Sequence, residues 1–467
     1  MTDQFSDEFL LNLTPEQAQA IVAQGDEASR WALLRLSALA RGKSAKSAPD
    51  PSTPSAMIAP YQKPDRKGRK KTPGRKQGHA GARRATPQID RREQHRLECC
   101  PECGGPVSPP RRRRARIVED IEQTRAVTTE HQIHAHYCPR CKKRVEPKVT
   151  AALSGSSIGH RALALSSWLH YGLGNSLGQI VQVFNALFQL PVSEGGLTQM
   201  WQRLAKVLEP WYDEIITEAA GSAVLHADET GWRVNGKTHW LWCFTQPSLT
   251  CYLIDESRGS KVLTEFLGEC FEGILVSDFF SAYSAIKDEQ RQVCFAHLLR
   301  EIKKVSERDG SDEWRAFAKK LKRLLKDALR LAAHHDRLSG DYGRAVERLY
   351  LRLGLLTGEP SGHPDCRRLK KRLRRHHDSL FAFLEQPNVP PDNNRAEREL
   401  RPAVIARKNS FHNMSDRGAK TQSALMSIYR TLKLRGHDPL ETIAGALTRF
   451  IAGGQLPPLP RPRSPDT

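Results

Sequence analysis

Residues 222–254 read SAVLHADETGWRVNGKTHWLWCFTQPSLTCYLI, and the fold turns on them. SAVLHADETGWRV predicts a strand. Asn235-Gly236 behind it is the strongest short signal for a hairpin turn, because such turns need a left-handed backbone that Asn and Gly tolerate. KTHWLWCFT predicts a second strand, Pro247 and Ser248 turn the chain, and LTCYLI predicts a third. Further on, RGSKVLTEFLGECF (258–271) predicts a helix, GILVSD (273–278) a short buried strand, and RQVCFAH (291–297) a fifth strand.

Three meandering antiparallel strands, then a helix and further strands, form the pattern of an RNase-H-like sheet. A βαβ crossover would set the fourth strand parallel to a neighbour. Strand alternation puts Val224, His226 and Asp228 on one face, with His226 packed within the sheet. Asp278 falls just past ILV, at a strand end where ligands gather in open α/β sheets. If the first and fourth strands adjoin, both carboxylates enter one site. Two bare carboxylates that close repel, and one takes up a proton unless a cation lies between them. Mg²⁺ (or Mn²⁺) suits such oxygen ligands and keeps places for water and substrate phosphates. The chemistry implied is two-metal phosphoryl transfer, one ion activating a water or 3′-hydroxyl and the other stabilising the leaving oxygen.

A third carboxylate should come from a later helix. PPDNNRAERELRP, Pro390 to Pro402, predicts the start of a charged helix capped by Asp392, Asn393 or Asn394. Glu397 has capping-box spacing to Asn394 and lies i,i+4 from Arg401, so a cap or a surface pair would each account for it. Helix phase separates the candidates. Glu397 lies near Leu400, and Glu399 is rotated about 200° away. With the Leu400 face packed on the sheet, Glu397 is aimed at the core side, and Pro402 limits how far that phase extends.

The rest of the 467 residues predicts a multidomain α+β chain with a formal net charge of +21. Residues 1–42 read as helical, with Thr14 and Gln17 at capping-box spacing. Residues 43–92 read as a flexible linker ending in a basic arm. Lys70, Lys71, Arg75, Lys76, Arg83 and Arg84 there have no acidic neighbour between Arg66 and Arg84. Clustered charge of this kind points to nucleic acid rather than to a merely solubilising surface. Residues 93–150 hold Cys100-x-x-Cys103 and Cys138-x-x-Cys141, with a β-hairpin expected between them. Two such knuckles supply the four thiolates of one structural Zn²⁺ site. Residues 151–220 are helical, and a short turn before Ser193 fits either a helix-turn-helix or an ordinary helical hairpin. Residues 221–297 carry the strands and both aspartates, 298–386 form a basic helical block with an apolar stripe from Phe317 to Leu331, and 387–451 carry Glu397. Residues 452–467 read as a disordered tail without a core. No apolar run approaches the roughly 20 residues that span a bilayer. The start of the chain lacks a secretory pattern. Both features point to a cytoplasmic protein with no membrane partner, and to thiols rather than disulfides. Cys243, Cys251, Cys270, Cys294 and Cys366 read as scattered thiols.

Several of these segments resemble a known family. LHADETGW, VSDFFSAY, CFAHLLREI, DNNRAERELRP, ARKNSFHNMSDRGA and IYRTLKLRGHDPLETI look like the bacterial insertion-sequence DDE transposases of the sixty-six family. GRKQGHAG and CPECGG…CPRC match its basic stretch and zinc finger. The resemblance covers most of residues 60–450. It implies that Asp228, Asp278 and Glu397 form the DDE triad of an RNase-H-like core interrupted by a helical insertion. His297, in CFAH, either orients a scissile phosphate or is a structural histidine. Arg407 and Lys408 are expected to clamp the DNA backbone, and Arg395 and Arg398 either join them or face water. Phe279-Phe280 departs from a Gly-Tyr-like pair and should alter packing beside Asp278 without altering metal binding. The implied partners are double-stranded DNA (element ends and target), further copies of the chain on DNA, and small accessory proteins of the same element. The expected place is the bacterial nucleoid. Two other readings stay open: a zinc-finger DNA-binding repressor that has lost catalysis, and a nuclease that cuts without joining.

Overall fold

The structure, a computed structural model, describes residues 14–23, 25–26, 28–30, 32–33, 36, 87–109, 115–121, 124–268, 271–334, 337, 339–410 and 412–463. The linker through residue 86, the basic-arm residues Lys70, Lys71, Arg75, Lys76, Arg83 and Arg84, and Cys270 lie outside them. The chain falls into two units, one drawn from residues 60–124 and the other from the remainder.

In the larger unit, α1 (Pro15–Val22) starts on the expected capping box of Thr14 and Gln17. β1 (His136–Cys138) and β2 (Lys143–Val145) form a small antiparallel hairpin. This is not the hairpin expected between the cysteine pairs. Residues 115–121 and 124–135 carry no strand, and Ile117, Val118, Ile121 and Val127 stay exposed, so no apolar face is covered that could fix a register. Helices α2 (His160–Ser167), α3 (Leu177–Phe188), α4 (Glu194–Val207) and α5 (Glu209–Ala220) follow. Ser193 caps α4 by accepting the Gly196 N–H at 3.1 Å. Ile180, Phe184, Leu197, Trp201 and Leu204 turn the α3–α4 pair into the main core.

A mixed five-stranded sheet comes next: β3 (Val224–Val234), β4 (Lys237–Gln246), β5 (Leu249–Asp255), β6 (Ile274–Ser277) and β7 (Arg291–Val293). Its order is β5-β4-β3-β6-β7. Asn235 and Gly236 take φ of 48° and 73° at the β3–β4 turn, the left-handed pair that the turn requires. Helix α6 (Ser260–Leu267) carries the crossover that sets β6 parallel to β3. A Cβ on Gly273 would strike the Ser222 carbonyl, so a residue without one lets β6 enter beside β3. The fifth strand stops at Val293, and CFAH is not part of it. Cys294 is the N-cap of α7 (Phe295–Arg308), which places His297 in the first helical turn.

α7 leads into α8 (Asp312–His334), α9 (Gly340–Gly358), α10 (Pro364–Arg375) and the short α11 (His377–Leu380) and α12 (Ala382–Glu385). These helices share a second core with β6 and β7, built on Trp314, Leu321, Leu325, Leu353, Leu369 and Phe381. The chain then returns to the sheet in α13 (Asn394–Ser410), α14 (Asp416–Leu434) and α15 (Pro439–Gly453). Pro402 lies inside α13 without ending it. Proline removes one hydrogen-bond donor, and packing on β3 and β4 holds the helix through it.

α14 lies along the free edge of β5. Ser423, Ser427 and Thr431, one turn apart, accept the N–H groups of Ile254, Tyr252 and Thr250 at 3.1, 2.8 and 3.2 Å. A hydroxyl ladder thereby replaces a sixth strand and closes the edge. The final segment also departs from expectation. Leu459 is 2% exposed, Trp211 donates to the Pro457 carbonyl at 2.6 Å, and Arg435 donates to that of Pro460 at 2.8 Å. Proline-rich backbone cannot pair as a strand, yet its free carbonyls suit indole and guanidinium donors.

Candidate active site

Asp228 sits midway along β3, directly opposite Cys243 of β4. Its Oδ1 accepts the Glu229 N–H at 2.9 Å. Burial raises its pKa well above the usual carboxylate range, and the charges of Glu229, Asp278 and Glu397 add to the effect. Asp278 follows the last residue of β6, and its Oδ1 accepts the Phe280 N–H at 2.8 Å. Burial raises its pKa too, while that N–H and the guanidinium groups of Arg258, Arg291 and Arg372 act against the rise. Asp278 and Glu397 thus act on Asp228 from separate chain segments, and the three carboxylates do not all come within 4.8 Å of one another.

Glu397 lies in the first turn of α13. Its carboxylate does not turn back to the helix cap, nor pair with Arg401. Arg300 of α7 holds it at 2.5 Å, and His297 Nε2 stands 3.6 Å away. Burial, followed by the charge of Arg300, lowers the His297 pKa to about 4, so the ring is neutral near pH 7. Helix phase misjudged depth. Glu399 is 2% exposed and makes a two-armed ion pair with Arg430, whereas Glu397 is at the rim. α13 is covered on both sides, so facing away from Leu400 does not mean facing water.

Asn393, just before α13, is fully buried and fastens the site. Its Nδ2 donates to the Ala227 carbonyl at 2.8 Å, its Oδ1 meets His226 Nδ1 at 3.0 Å, and its N–H reaches the Cys294 sulfur at 3.2 Å. The sequence reading treated Asn393 only as a possible cap and missed this role. It also passed over Glu229, because alternation sends that residue to the other face of β3. Glu229 is gripped by Arg258 through Nε at 3.0 Å and Nη2 at 2.7 Å, and by the Tyr283 hydroxyl at 2.6 Å. Arg258 lies between the rings of Trp240, at 4.4 Å, and Phe280, at 3.9 Å. Phe280 therefore packs beside Asp278 by holding an arginine, which gives the Phe279-Phe280 departure half of its structural meaning.

The remaining sequence candidates are scattered. Arg407 does not project freely. It donates to Thr230 Oγ1 at 3.1 Å and to the Gly231 carbonyl, which ties α13 to β3. Arg398 and Lys408 are exposed, and Arg395 is half-buried. Among the described residues, Asp309, His363 and Asp365 are the group of three ligating side chains whose atoms lie within 4.8 Å of one another. Those atoms are already engaged. His363 Nε2 meets Asp309 at 2.5 Å, its Nδ1 accepts the Cys366 N–H at 3.4 Å, and Asp365 pairs with Arg308 at 2.6 Å and Arg368 at 2.9 Å. This trio serves as a helix cap and an ion-pair hub.

Each cysteine pair has local knuckle geometry. In the 60–124 unit, the Gly104 N–H donates to the Cys100 carbonyl and the Cys100 N–H to that of Gly105, both at 2.8 Å, with Gly104 at φ 71°. In the other unit, the Cys138 sulfur accepts the Cys141 N–H at 3.5 Å. Backbone N–H donors lower the pKa of Cys100 and Cys138, as thiolate ligands require.

Comparison with known proteins adds the lineage. Uncharacterized protein y4qI of Sinorhizobium fredii (strain NBRC 101917 / NGR234) is 28% identical over 298 residues, 56% of this chain and 54% of that protein. Uncharacterized protein y4jD of the same strain is 25% identical over 301 residues, 58% of each. The chain spans about half the length of these curated relatives. The family model described as "Transposase IS66 family" matches residues 155–421, from α2 through the start of α14. With more than half of its length matched, including all three carboxylates, the chain belongs to the IS66 family of transposases.

Proposed function

We propose that this chain is a DDE-type transposase that binds the ends of an insertion sequence, cuts there, and joins the freed 3′-hydroxyl to target DNA. One observation supports the reading: Asp278, past the end of β6, and Glu397, in α13, both add their charge to the raised pKa of Asp228 on β3. The sheet order, with three antiparallel strands followed by two parallel ones, supports an RNase-H-like core. The run from α7 to α12 corresponds to the helical insertion.

The site fits hard divalent cations. Its donors are all carboxylate oxygens, and two of them, half-buried, have raised pKa values, so a cation would relieve a charge that the protein leaves unbalanced. Asp228, Asp278 and Glu397 would hold Mg²⁺ or Mn²⁺. Two such ions, when bound, supply an activated hydroxyl and neutralise charge on the leaving oxygen. The protein's own contributions are positional. Asn393 fixes the start of α13 against β3. Arg300 holds Glu397 and would release it to the ions. Neutral His297 presents Nε2 toward the same rim, where it can hydrogen-bond a phosphate oxygen. Arg258 and Tyr283 keep Glu229 occupied, so it does not compete as a ligand.

The cysteines, by type and spacing, fit one structural Zn²⁺ held by Cys100, Cys103, Cys138 and Cys141. The zinc module, the basic arm and the α3–α4 pair would grip the element ends. Affinity should then fall steeply with salt, as phosphate contacts dictate. Pairing two ends calls for at least two copies of the chain, with small accessory proteins of the element as further partners, in the cytoplasm at the nucleoid. Among the described residues no helix is long and apolar enough to cross a membrane.

The test is a plasmid carrying the element's terminal repeats, incubated with protein and Mg²⁺. Strand cuts at the ends and joined products are expected. Specific binding with no cut in Mg²⁺ or Mn²⁺ would favour the repressor, and cuts that are never joined would favour the nuclease.

A further inference from the structure

A second polar feature lies beside Asp278, on the helical insertion. Two adjoining clefts of about 190 and 310 Å³ open between residues 279–291 and α10. Arg291, Lys371, Arg372, Arg375 and His376 line them, against the single carboxylate of Asp288. Arg291 is 1% exposed, and its Nε and Nη2 have no partner among the described residues. Its approach to Asp288 is 3.9 Å, too long for a hydrogen bond. Arg372 gives one arm to Glu301, yet its buried Nε is also unpartnered. Buried guanidinium donors are costly to leave unpaired, so this wall suits a group with several acceptor oxygens.

Asp288 cannot fill that gap. Its oxygens already accept from the Ser379 hydroxyl at 2.6 Å and from the N–H groups of Asp378 and Ser379 at 3.2 and 3.3 Å. At the mouth, Lys371 and Arg375 are exposed, and no ion pair joins either to a carboxylate among the described residues. The wall is tied to the catalytic strand end. Phe279, next to Asp278, lies under Arg372 at 4.4 Å and edge-on to His376 at 5.5 Å. The charges of Arg291 and Arg372 both reach the Asp278 carboxylate.

We propose that this cleft is a phosphate-binding site that seats a backbone phosphodiester of the DNA strand passing Asp278. Arg291 and Arg372 would supply the buried donors, and Lys371 and Arg375 the cations at the mouth. Guanidinium pairs match phosphate oxygens in geometry as well as charge. Lys371, Arg374 and Arg375 stand at i, i+3 and i+4 on the exposed face of α10, a ridge that suits an extended polyanion better than a compact one. Phe279 in the wall lies under Arg372 and edge-on to His376, so its ring is already engaged within the protein. The source of the phosphate rests on the transposase reading; the cleft itself does not.

The test measures fluorescence anisotropy of a labelled duplex across a salt series, with Ca²⁺ in place of Mg²⁺ so that binding is read without cutting. The full-length Lys371→Gln/Arg375→Gln variant is compared with wild type and with Lys319→Gln/Arg323→Gln on α8. Both pairs are surface changes, and equal melting temperatures confirm folding. The cleft variant should bind about tenfold more weakly and lose roughly one to two units of the log–log salt slope, with the α8 variant unchanged. An unchanged slope and affinity in the cleft variant would overturn the proposal, whether or not wild type cuts DNA. So would inorganic phosphate or a nucleoside triphosphate that binds wild type tightly and competes the duplex away at micromolar concentration. Should wild type fail to cut or join while the cleft variant still loses duplex affinity, the catalytic reading would fall and the cleft would stand.

Discussion

The Asn393 side chain donates to the Ala227 carbonyl at 2.8 Å, one residue before Asp228 and four before Glu397. This bond, buried with the His226 contact, sets the distance between two of the three carboxylates. Removing it leaves a buried carbonyl and imidazole unsatisfied, at a cost of about 1–3 kcal/mol. Asn393→Ala should therefore melt earlier and lose DNA joining more than the stability loss explains. A correctly folded Asn393→Ala with full joining activity would show that the fastening is dispensable.

The metal-free site should weaken the fold as pH rises toward neutral. Burial and neighbouring charges raise the Asp228 pKa in the folded state. A carboxyl with a raised folded pKa adds stability that is complete below the ordinary carboxylate range and is lost as pH climbs through the raised value. Asp228→Asn removes that dependence. In chelator at pH 7 it should melt higher than wild type, by about 2–4 °C for each kcal/mol of relieved charge, and it should gain nothing from added Mn²⁺. Thermal scans from pH 4 to pH 8 check the sign, and a lower melting point for Asp228→Asn at pH 7 would refute it.

Glu397 and Glu399 should separate by how much each contributes to stability. Glu399 is buried against Arg430, so Glu399→Gln strands a charge and should cost about 3–5 kcal/mol. Glu397 pairs with Arg300 where both side chains are partly exposed, at 31% and 47%, so Glu397→Gln should cost at most about 1 kcal/mol. Urea unfolding of the two variants decides the matter.

The sheet and its two aspartates were readable because alternation, the Asn-Gly turn and the apolar strand at Ile274–Val276 are local signals. Depth was not. Glu399 finds Arg430 thirty-one residues on, a pairing invisible to helix phase. The hydroxyl ladder of Ser423, Ser427 and Thr431 looks like polar helix surface until β5 is laid beside it. Asn393 reads as one cap candidate among three, because its partners come from β3 and the start of α7. The tail misled for a related reason: Pro457 and Pro460 lack donors, but their carbonyls meet Trp211 and Arg435.

Zinc makes a separate claim. Elemental analysis should find one zinc per chain, lost in Cys138→Ser. The melting of the sheet-containing unit should be unchanged, because no cysteine of that pair enters its core. A full complement of zinc in Cys138→Ser would remove Cys138 from the ligand set.

The most direct measurement is strand transfer of a pre-cut, labelled element end into plasmid DNA with Mn²⁺, by wild type and by Asp228→Asn, Asp278→Asn and Glu397→Gln. All four proteins should bind the end equally. Wild type should give joined products, and each variant should lose at least about a thousandfold in rate, roughly 4 kcal/mol of barrier. Joining that survives in any one of the three would contradict a single site built from these carboxylates.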